Sequence, residues 1–114
     1  MGENQEKIKD LLKKFTLHIE NIHDNYASIQ NLDRQKKIAD GGEEEVLNSQ
    51  IEEIKKILLN NQTKAFEFLE RIIETVGSSV KEHCKKLKSD FEKQKDNPDL
   101  LLIQEDINLI KKAI

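Results

Sequence analysis

The sequence predicts an all-α fold: an antiparallel up-down-up three-helix bundle with a break in the third helix near Pro98. Apolar residues recur every three or four positions along most of the chain, which is the repeat of one helix face. Glycine, a poor helix former, occurs only 4 times in 114 residues, and proline occurs once. At 114 residues the chain is too short for two independent cores, so we expect one domain over residues 1–114. Two breaks near glycine or serine divide it into segments 3–38, 43–77 and 79–114.

The first helix is predicted from about Asn4 to about Lys37. Its apolar residues alternate spacings of four and three and form a heptad seam: Ile8, Leu12, Phe15, Ile19, Ile22, Tyr26 and Ile29. We expect Gly41 and Gly42 to end this helix, because glycine readily adopts the positive φ of a helix C-cap and turn. The acidic residues that follow suit the positive end of a second helix dipole.

The second helix is predicted from two groups of apolar positions, separated by a shift in phase: Leu47, Ile51, Ile54 and Leu58, then Phe66, Leu69, Ile73 and Val76. A break is expected at Gly77-Ser78-Ser79, where Ser79 and Glu82 are spaced as a capping box for the next helix. The alternative is one continuous helix over residues 43–95, since the apolar stripe continues in phase past the break.

A second break is expected at Asp96-Asn97-Pro98. Proline is tolerated at the first position of a helix, and Asn97 is expected to cap that position. After the break the stripe changes phase and continues to the last residue: Leu100, Ile103, Ile107, Ile110 and Ile114. The sequence therefore predicts a kink inside the third helix.

Charge and composition exclude several classes of partner. The net charge of -3 does not favour binding to a nucleic-acid backbone, and the repeated interleaving of aromatic and basic residues that is typical of nucleic-acid binding is absent. Residues 39–79 are acidic and residues 80–95 are basic, which we interpret as complementary faces of a bundle. No apolar run is long enough to insert this segment directly into a membrane. Cys84 is the only cysteine, which favours an intracellular location.

Side chains that could carry chemistry are not arranged as a catalytic or metal site. His18 and His23 are five residues apart, which places them on opposite flanks of a helix. His83 and Cys84 are adjacent, so their side chains diverge and do not form a nucleophile with its base. No glycine-rich phosphate loop or hydrolase motif is present. We therefore predict no enzymatic activity, no cofactor and no metal site.

Two stretches of the chain carry a resemblance to a known family. The first is residues 19–29 (IENIHDNYASI), and the second combines residues 44–46 (EEV), 51–57 (IEEIKKI) and 65–68 (AFEF). Their rhythm of an isoleucine or leucine, an acidic residue and a mid-helix asparagine resembles the first two helices of the N-terminal Habc domain of syntaxins, the target-membrane SNARE proteins. The resemblance covers residues 15–74, about half of the chain.

This resemblance implies a regulatory module in vesicle trafficking and membrane fusion, on the cytosolic face of an endomembrane. Habc domains fold back on the SNARE helix of their own protein and so slow the assembly of the fusion complex. The partners implied are protein helices, namely the protein's own SNARE motif or other SNAREs, and a Sec/Munc-type regulator. A homodimer is left open as a further partner.

A three-helix bundle can also offer a groove in which an amphipathic helix docks. We predict that apolar residues beside the seams line this groove: Leu69, Ile72, Val76, Leu102 and Leu109. Their other interpretation is bundle core. The alternative function is a structural coiled coil or a spectrin-like scaffold or dimerisation segment. The spectrin version is weakened because the buried tryptophan typical of its first helix has no counterpart, Trp being 0.

Overall fold

The computed structural model describes residues 2–114, with side chains from Asn4 onward, and over this range it is all-helical. Four helices follow one another along the chain: α1 (Gly2–Lys37), α2 (Gly41–Thr75), α3 (Ser78–Lys93) and α4 (Leu100–Ala113). The prediction of an all-α fold is confirmed. The up-down-up three-helix bundle is not confirmed, because the segment predicted as a third helix forms two separate helices.

The long helices α1 and α2 form a hairpin with a short turn at residues 38–40. Asp40 is the N-cap of α2 in an extended conformation, and its carbonyl accepts a hydrogen bond from the N–H of Glu43 at 2.9 Å. The predicted glycine C-cap of α1 is wrong. Gly41 and Gly42 open α2 instead, and no residue in the described range has a positive φ. The extended backbone at Asp40 turns the chain without a residue of positive φ.

The break between α2 and α3 lies where the sequence predicts it. Val76 and Gly77 both have extended backbone, which ends one helix and begins the next. The continuous helix over residues 43–95 is therefore wrong. The predicted capping box is also wrong, because α3 begins at Ser78 and Ser79 already lies inside its first turn.

The loop between α3 and α4 reverses the chain direction instead of only kinking the helix. Asp99 caps α4, and its carboxylate accepts hydrogen bonds from two N–H groups of the first turn at 3.1 and 3.2 Å. The N–H of Asp99 in turn donates to the side-chain oxygen of Gln94 at 2.7 Å. The predicted cap at Asn97 is wrong, because Pro98 intervenes and the helix starts later.

Because of this reversal, α3 and α4 pack on each other and cover only half of the long hairpin. The Gln62 side chain donates to the carbonyl of Lys95 and to the carboxylate of Asp96, both at 2.8 Å, so the α3–α4 loop lies beside the middle of α2. The Gln5 side chain contacts the carbonyl of Ile114, so α4 ends beside the start of α1. The result is a rod of 60 × 20 × 16 Å.

The main hydrophobic core lies in the half of the rod that contains four helices, and Ile51 is buried in the other half. On α1 the main core extends as far as Ile22, and on α2 it begins at Leu58. We call residues 27–57, which lie beyond these positions, the arm, and the four-helix part the base. The core of the base consists of eighteen buried side chains: Ile8, Leu11, Leu12, Phe15, Ile19, Ile22, Leu58, Ala65, Leu69, Ile72, Val76, Val80, Cys84, Leu87, Phe91, Ile103, Ile107 and Ile110.

Candidate protein-docking groove

The arm carries a groove that neither α3 nor α4 covers. Two adjoining cavities of about 580 and 400 Å³ share Gln50 as a lining residue and together follow the arm from its turn toward the base. We call them the arm groove. Its walls are one face of each long helix, closed at one end by the turn: Ser28, Asn31, Leu32 and Gln35 on α1, Ile38 and Ala39 in the turn, and Gly42, Glu43, Val46, Leu47, Gln50, Glu53 and Ile54 on α2.

Helical periodicity explains why these residues line one groove. The wall residues recur at spacings of three and four on both helices, so each set occupies one face. On α2, residues 42–54 of the wall span about 18 Å at a rise of 1.5 Å per residue, which is about three helical turns. The length and concavity of the arm groove therefore match a third helix laid along the hairpin.

The chemistry of the arm groove favours an amphipathic partner. Ile38 is 87% exposed and Val46 is 58% exposed, while Leu32, Leu47 and Ile54 are half-buried along the floor. The charged side chains that line the groove are two acidic ones, Glu43 and Glu53, whereas lysine and arginine do not occur in its lining. A helix with an apolar stripe and flanking basic residues complements such a surface.

The residues predicted to line a groove lie elsewhere. Leu69, Ile72 and Val76 are buried in the core of the base, so they do not line an open groove in this conformation. Leu102 is half-buried and Leu109 is 41% exposed, both on α4. The structure therefore does not bring these five residues together on one surface. The arm groove is lined in part by seam residues such as Leu47 and Ile54, which the sequence assigns to core because it does not reveal where α3 and α4 stop.

The histidine nearest to the core has a structural role. The Nδ1 of His18 lies 2.8 Å from the Oδ1 of Asn61, a buried residue whose amide also donates to the carbonyl of Ile57 at 3.1 Å. The His18 ring stacks on Phe68 with centroids 5.6 Å apart. These contacts join α1 to α2 near the end of the base. His23 is half-exposed beside Asp24 and takes no part in them.

Cys84 is a core residue. Its side chain is fully buried on α3, and burial raises the pKa of the thiol to about 11. The thiolate, which is the reactive form, is therefore scarce at neutral pH. Neighbouring His83 is half-exposed on a different face of the helix.

The interface between α3 and α4 contains an ionic cluster. The Asp106 side chain is buried among isoleucines on α4, and its Oδ1 accepts a hydrogen bond from the ammonium of Lys86 at 2.7 Å. The same ammonium lies 3.1 Å from the carboxylate of Asp90. The Oδ2 of Asp106 is buried and accepts no hydrogen bond from the described residues. Burial raises the pKa of Asp106, and the neighbouring Asp90 carboxylate raises it further, although Lys86 opposes the change.

Asp106 and Asp90 are expected to affect stability with opposite pH trends. The raised pKa of Asp106 means that the folded state binds this proton more tightly than the unfolded state, so the stability it contributes is lost as pH rises through that pKa. Asp106→Asn should therefore gain stability relative to wild type as pH rises above about 4, the ordinary pKa of an unfolded aspartate. The neighbouring Asp106, followed by Lys86, lowers the pKa of Asp90. Asp90→Asn should therefore be less stable than wild type above about pH 4, and this difference should shrink as pH falls below that value.

Urea denaturation of the three proteins at several pH values measures both trends. The wild type serves as the reference at each pH, so changes common to all carboxylates cancel. Parallel pH curves for wild type and Asp106→Asn would show that the Asp106 carboxyl is solvated in the folded protein.

The geometry of the molecule is the main guide to its function. No known protein family, curated protein or solved structure gives a significant match to this chain. None of the helices in residues 2–114 combines the length and apolarity that crossing a bilayer requires. The feature that distinguishes the chain is an acidic and apolar groove on an arm that its own short helices leave open.

Proposed function

We propose that this protein is a non-enzymatic interaction module whose arm groove docks an amphipathic helix of a partner protein. The observation that carries the proposal is the apolar arm groove, open along about three helical turns. The packed core of the base holds the two arm helices in place where they join it. The arm then presents two parallel walls to which a third helix adds without rearrangement of the backbone.

The proposed partner helix carries an apolar stripe with lysine or arginine beside it. Burying Val46 and the exposed part of the groove floor removes apolar surface from water, at roughly 25 cal/mol per Å². Glu43 and Glu53 attract the basic flank and set its orientation and specificity more than its affinity. Helix-in-groove binding of this kind concentrates its energy in a few apolar anchors.

A designed peptide tests the proposal directly. The probe is a fluorescein-labelled helix with leucines at i, i+3 and i+7 and lysines on the flanks, and its twin has glutamate in place of each lysine. We expect fluorescence anisotropy to show saturable binding of the lysine peptide, at least about tenfold tighter than that of the glutamate twin. Equal affinity of the two peptides, or no binding of either, would contradict the proposal.

Val46→Asn should weaken binding of the lysine peptide by about fivefold to tenfold, because it removes one apolar anchor from the groove wall. The matched control is Ile57→Asn, which changes an aliphatic residue of α2 that is 52% exposed and outside the arm groove. Both sites are exposed, so neither variant should change the thermal midpoint measured by circular dichroism. An equal loss of binding in both variants would place the docking surface elsewhere.

A regulatory role of the syntaxin kind is the more specific form of this proposal. It is supported by the resemblance over residues 15–74, all of which belong to the α1–α2 hairpin. In that form the docked helix is a SNARE motif, from the same protein or from another SNARE. The test is a heptad peptide with a central glutamine, compared with a peptide of the same composition and scrambled order. Tighter binding of the ordered peptide supports the regulatory role, and equal binding leaves a general helix-docking module or scaffold.

A further inference from the structure

A second groove lies in the base between α1 and α4, and its charge is opposite to that of the arm groove. It has a volume of about 740 Å³, and we call it the base groove. Lys14 pairs with Asp10 at 3.0 Å, whereas the other three lysines form no ion pair with a described side chain. Leu17, an apolar residue of the wall, is 56% exposed. The full lining is Lys9, Asp10, Lys13, Lys14, Thr16, Leu17, Glu20, Gln104 and Lys111.

The far end of the arm has the complementary chemistry. Glu43, Glu44 and Glu45 are exposed in the first turns of α2 and form no ion pair with a described side chain. Ile38 and Val46 are exposed beside them. We call residues 38–46 the tip. Unpaired acids with an apolar contact at the tip thus match unpaired lysines with an apolar contact in the base groove.

The base groove and the tip open toward the same side of the rod. Asp10 and Leu17 line the base groove, and Asn31 and Ile38 line the arm groove. Asp10, Leu17 and Asn31 are separated by multiples of seven, so they lie on one stripe of α1, and Ile38 follows the same spacing in the turn just after the helix. At a helical rise of 1.5 Å per residue, Leu17 and Ile38 are about 32 Å apart along the rod. Two rods placed side by side in opposite directions therefore bring the tip of each to the base groove of the other.

We propose that the tip of one molecule docks in the base groove of a second copy, reciprocally, to form an antiparallel dimer. Placing Leu17 against the partner's Ile38 puts the two-fold axis near Ala27 and Ser28. Both of these residues are exposed and small, which permits close approach of the two α1 helices. Such a contact is isologous and closes on itself, so it yields dimers and not filaments.

A second copy fits the base groove better than an anionic membrane does. Four lysines outnumber Asp10 and Glu20 in the groove, so its net charge attracts an acidic tip and acidic headgroups alike and does not decide between them. The groove is a concave channel between two helices, whereas a membrane surface is met by a convex or flat basic face. The acids at the tip, by contrast, project from the end of an arm.

Sedimentation velocity of the full chain at low salt, over a wide range of concentration, tests the proposal together with two charge-reversal variants. We expect the wild type to dimerise, with a dissociation constant that rises with salt. Reversing the charges of either the tip or the base groove puts like charges at both contacts. The dissociation constant of the dimer should then rise at least about tenfold. The tip variant carries Glu43→Lys, Glu44→Lys and Glu45→Lys, and the base variant carries Lys9→Glu, Lys13→Glu and Lys111→Glu.

Mixing the two variants is the decisive experiment. In the mixture, the lysine tip of one variant meets the glutamate base groove of the other, and the native pairing of charges is kept at the second contact. The mixture should therefore dimerise although each variant alone is monomeric. A control variant, Lys81→Glu on α3, should behave as wild type because this exposed lysine lies outside the base groove.

A wild type that stays monomeric throughout, or a mixture that stays monomeric while the wild type dimerises, would overturn the dimer. Loss of the dimer in Lys81→Glu would overturn the assigned site. These outcomes are distinct from failure of the proposed helix docking. Because Ile38, Glu43 and Val46 of the tip also line the arm groove, peptide binding is measured on the base variant, which is monomeric and has an unchanged arm groove. If that monomer binds the lysine peptide, the docking function stands whatever the wild type does in sedimentation, and if it ignores the peptide, the docking function fails whether or not the wild type dimerises.

Discussion

Ile22→Asp is expected to unfold the base. The Ile22 side chain is completely buried on α1 at the end of the core, so the variant places a charge where neither water nor a partner solvates it. The free energy of unfolding should fall by about 4 kcal/mol or more, which is a large part of the stability of a small domain. Circular dichroism during urea or thermal denaturation measures it.

The control for this variant is the same substitution at Ile38, which is 87% exposed at the tip. Ile38→Asp should change stability by no more than about 0.5 kcal/mol. A wild-type denaturation midpoint for Ile22→Asp would show that the base does not have the core described above.

Phe15→Ala is expected to have the second-largest effect and to lower the free energy of unfolding by about 3–5 kcal/mol. Phe15 is completely buried and meets Phe91 edge-on with ring centroids 5.7 Å apart, so truncation leaves a cavity between α1 and α3. Phe66→Ala is the matched control, since Phe66 is 37% exposed on α2. It should lose less than about 1.5 kcal/mol. Equal losses in the two variants would mean that α3 does not pack on α1 as described.

The long helices could be predicted from sequence because each carries its own evidence. The unbroken seam of α1 and the poor helix formers at Gly77 fix two helices and one break, and the structure contains all three. The caps were less predictable. Asp99, not Asn97, caps α4, because Gln94 holds the N–H of Asp99 and turns the chain. That hydrogen bond joins a backbone N–H to a side chain five residues earlier, and the apolar pattern of the sequence does not indicate it.

The reversal at Pro98 could not be predicted, since the apolar stripe after it suits a kinked helix and a hairpin equally. The choice between them depends on long-range packing, in particular of Phe91 against α1 and of Asp106 against Lys86. An aspartate between Ile103 and Ile107 also runs against the rule that carboxylates face water. Its partner is twenty residues earlier on another helix.

The same reversal explains why the predicted groove residues do not form one open surface. For Leu69 and Ile72 the sequence left two interpretations, a groove lining and bundle core, and in the structure both lie buried in the core of the base. Leu47 and Ile54 belong to an ordinary seam in the sequence, yet they remain half-exposed because the short helices end before reaching them. Seam residues become a docking surface only when the fold leaves them uncovered, and that is a property of the tertiary structure.

The most direct test of the arm groove is a nuclear magnetic resonance titration. Amide resonances of the ¹⁵N-labelled protein are followed while the lysine-flanked peptide is added, in a buffer of enough salt to keep the protein monomeric. We predict that the largest shift changes fall within residues 28–39 and 42–54, with α3 and α4 unaffected. Shift changes concentrated in α3 and α4, or none at saturating peptide, would contradict the account.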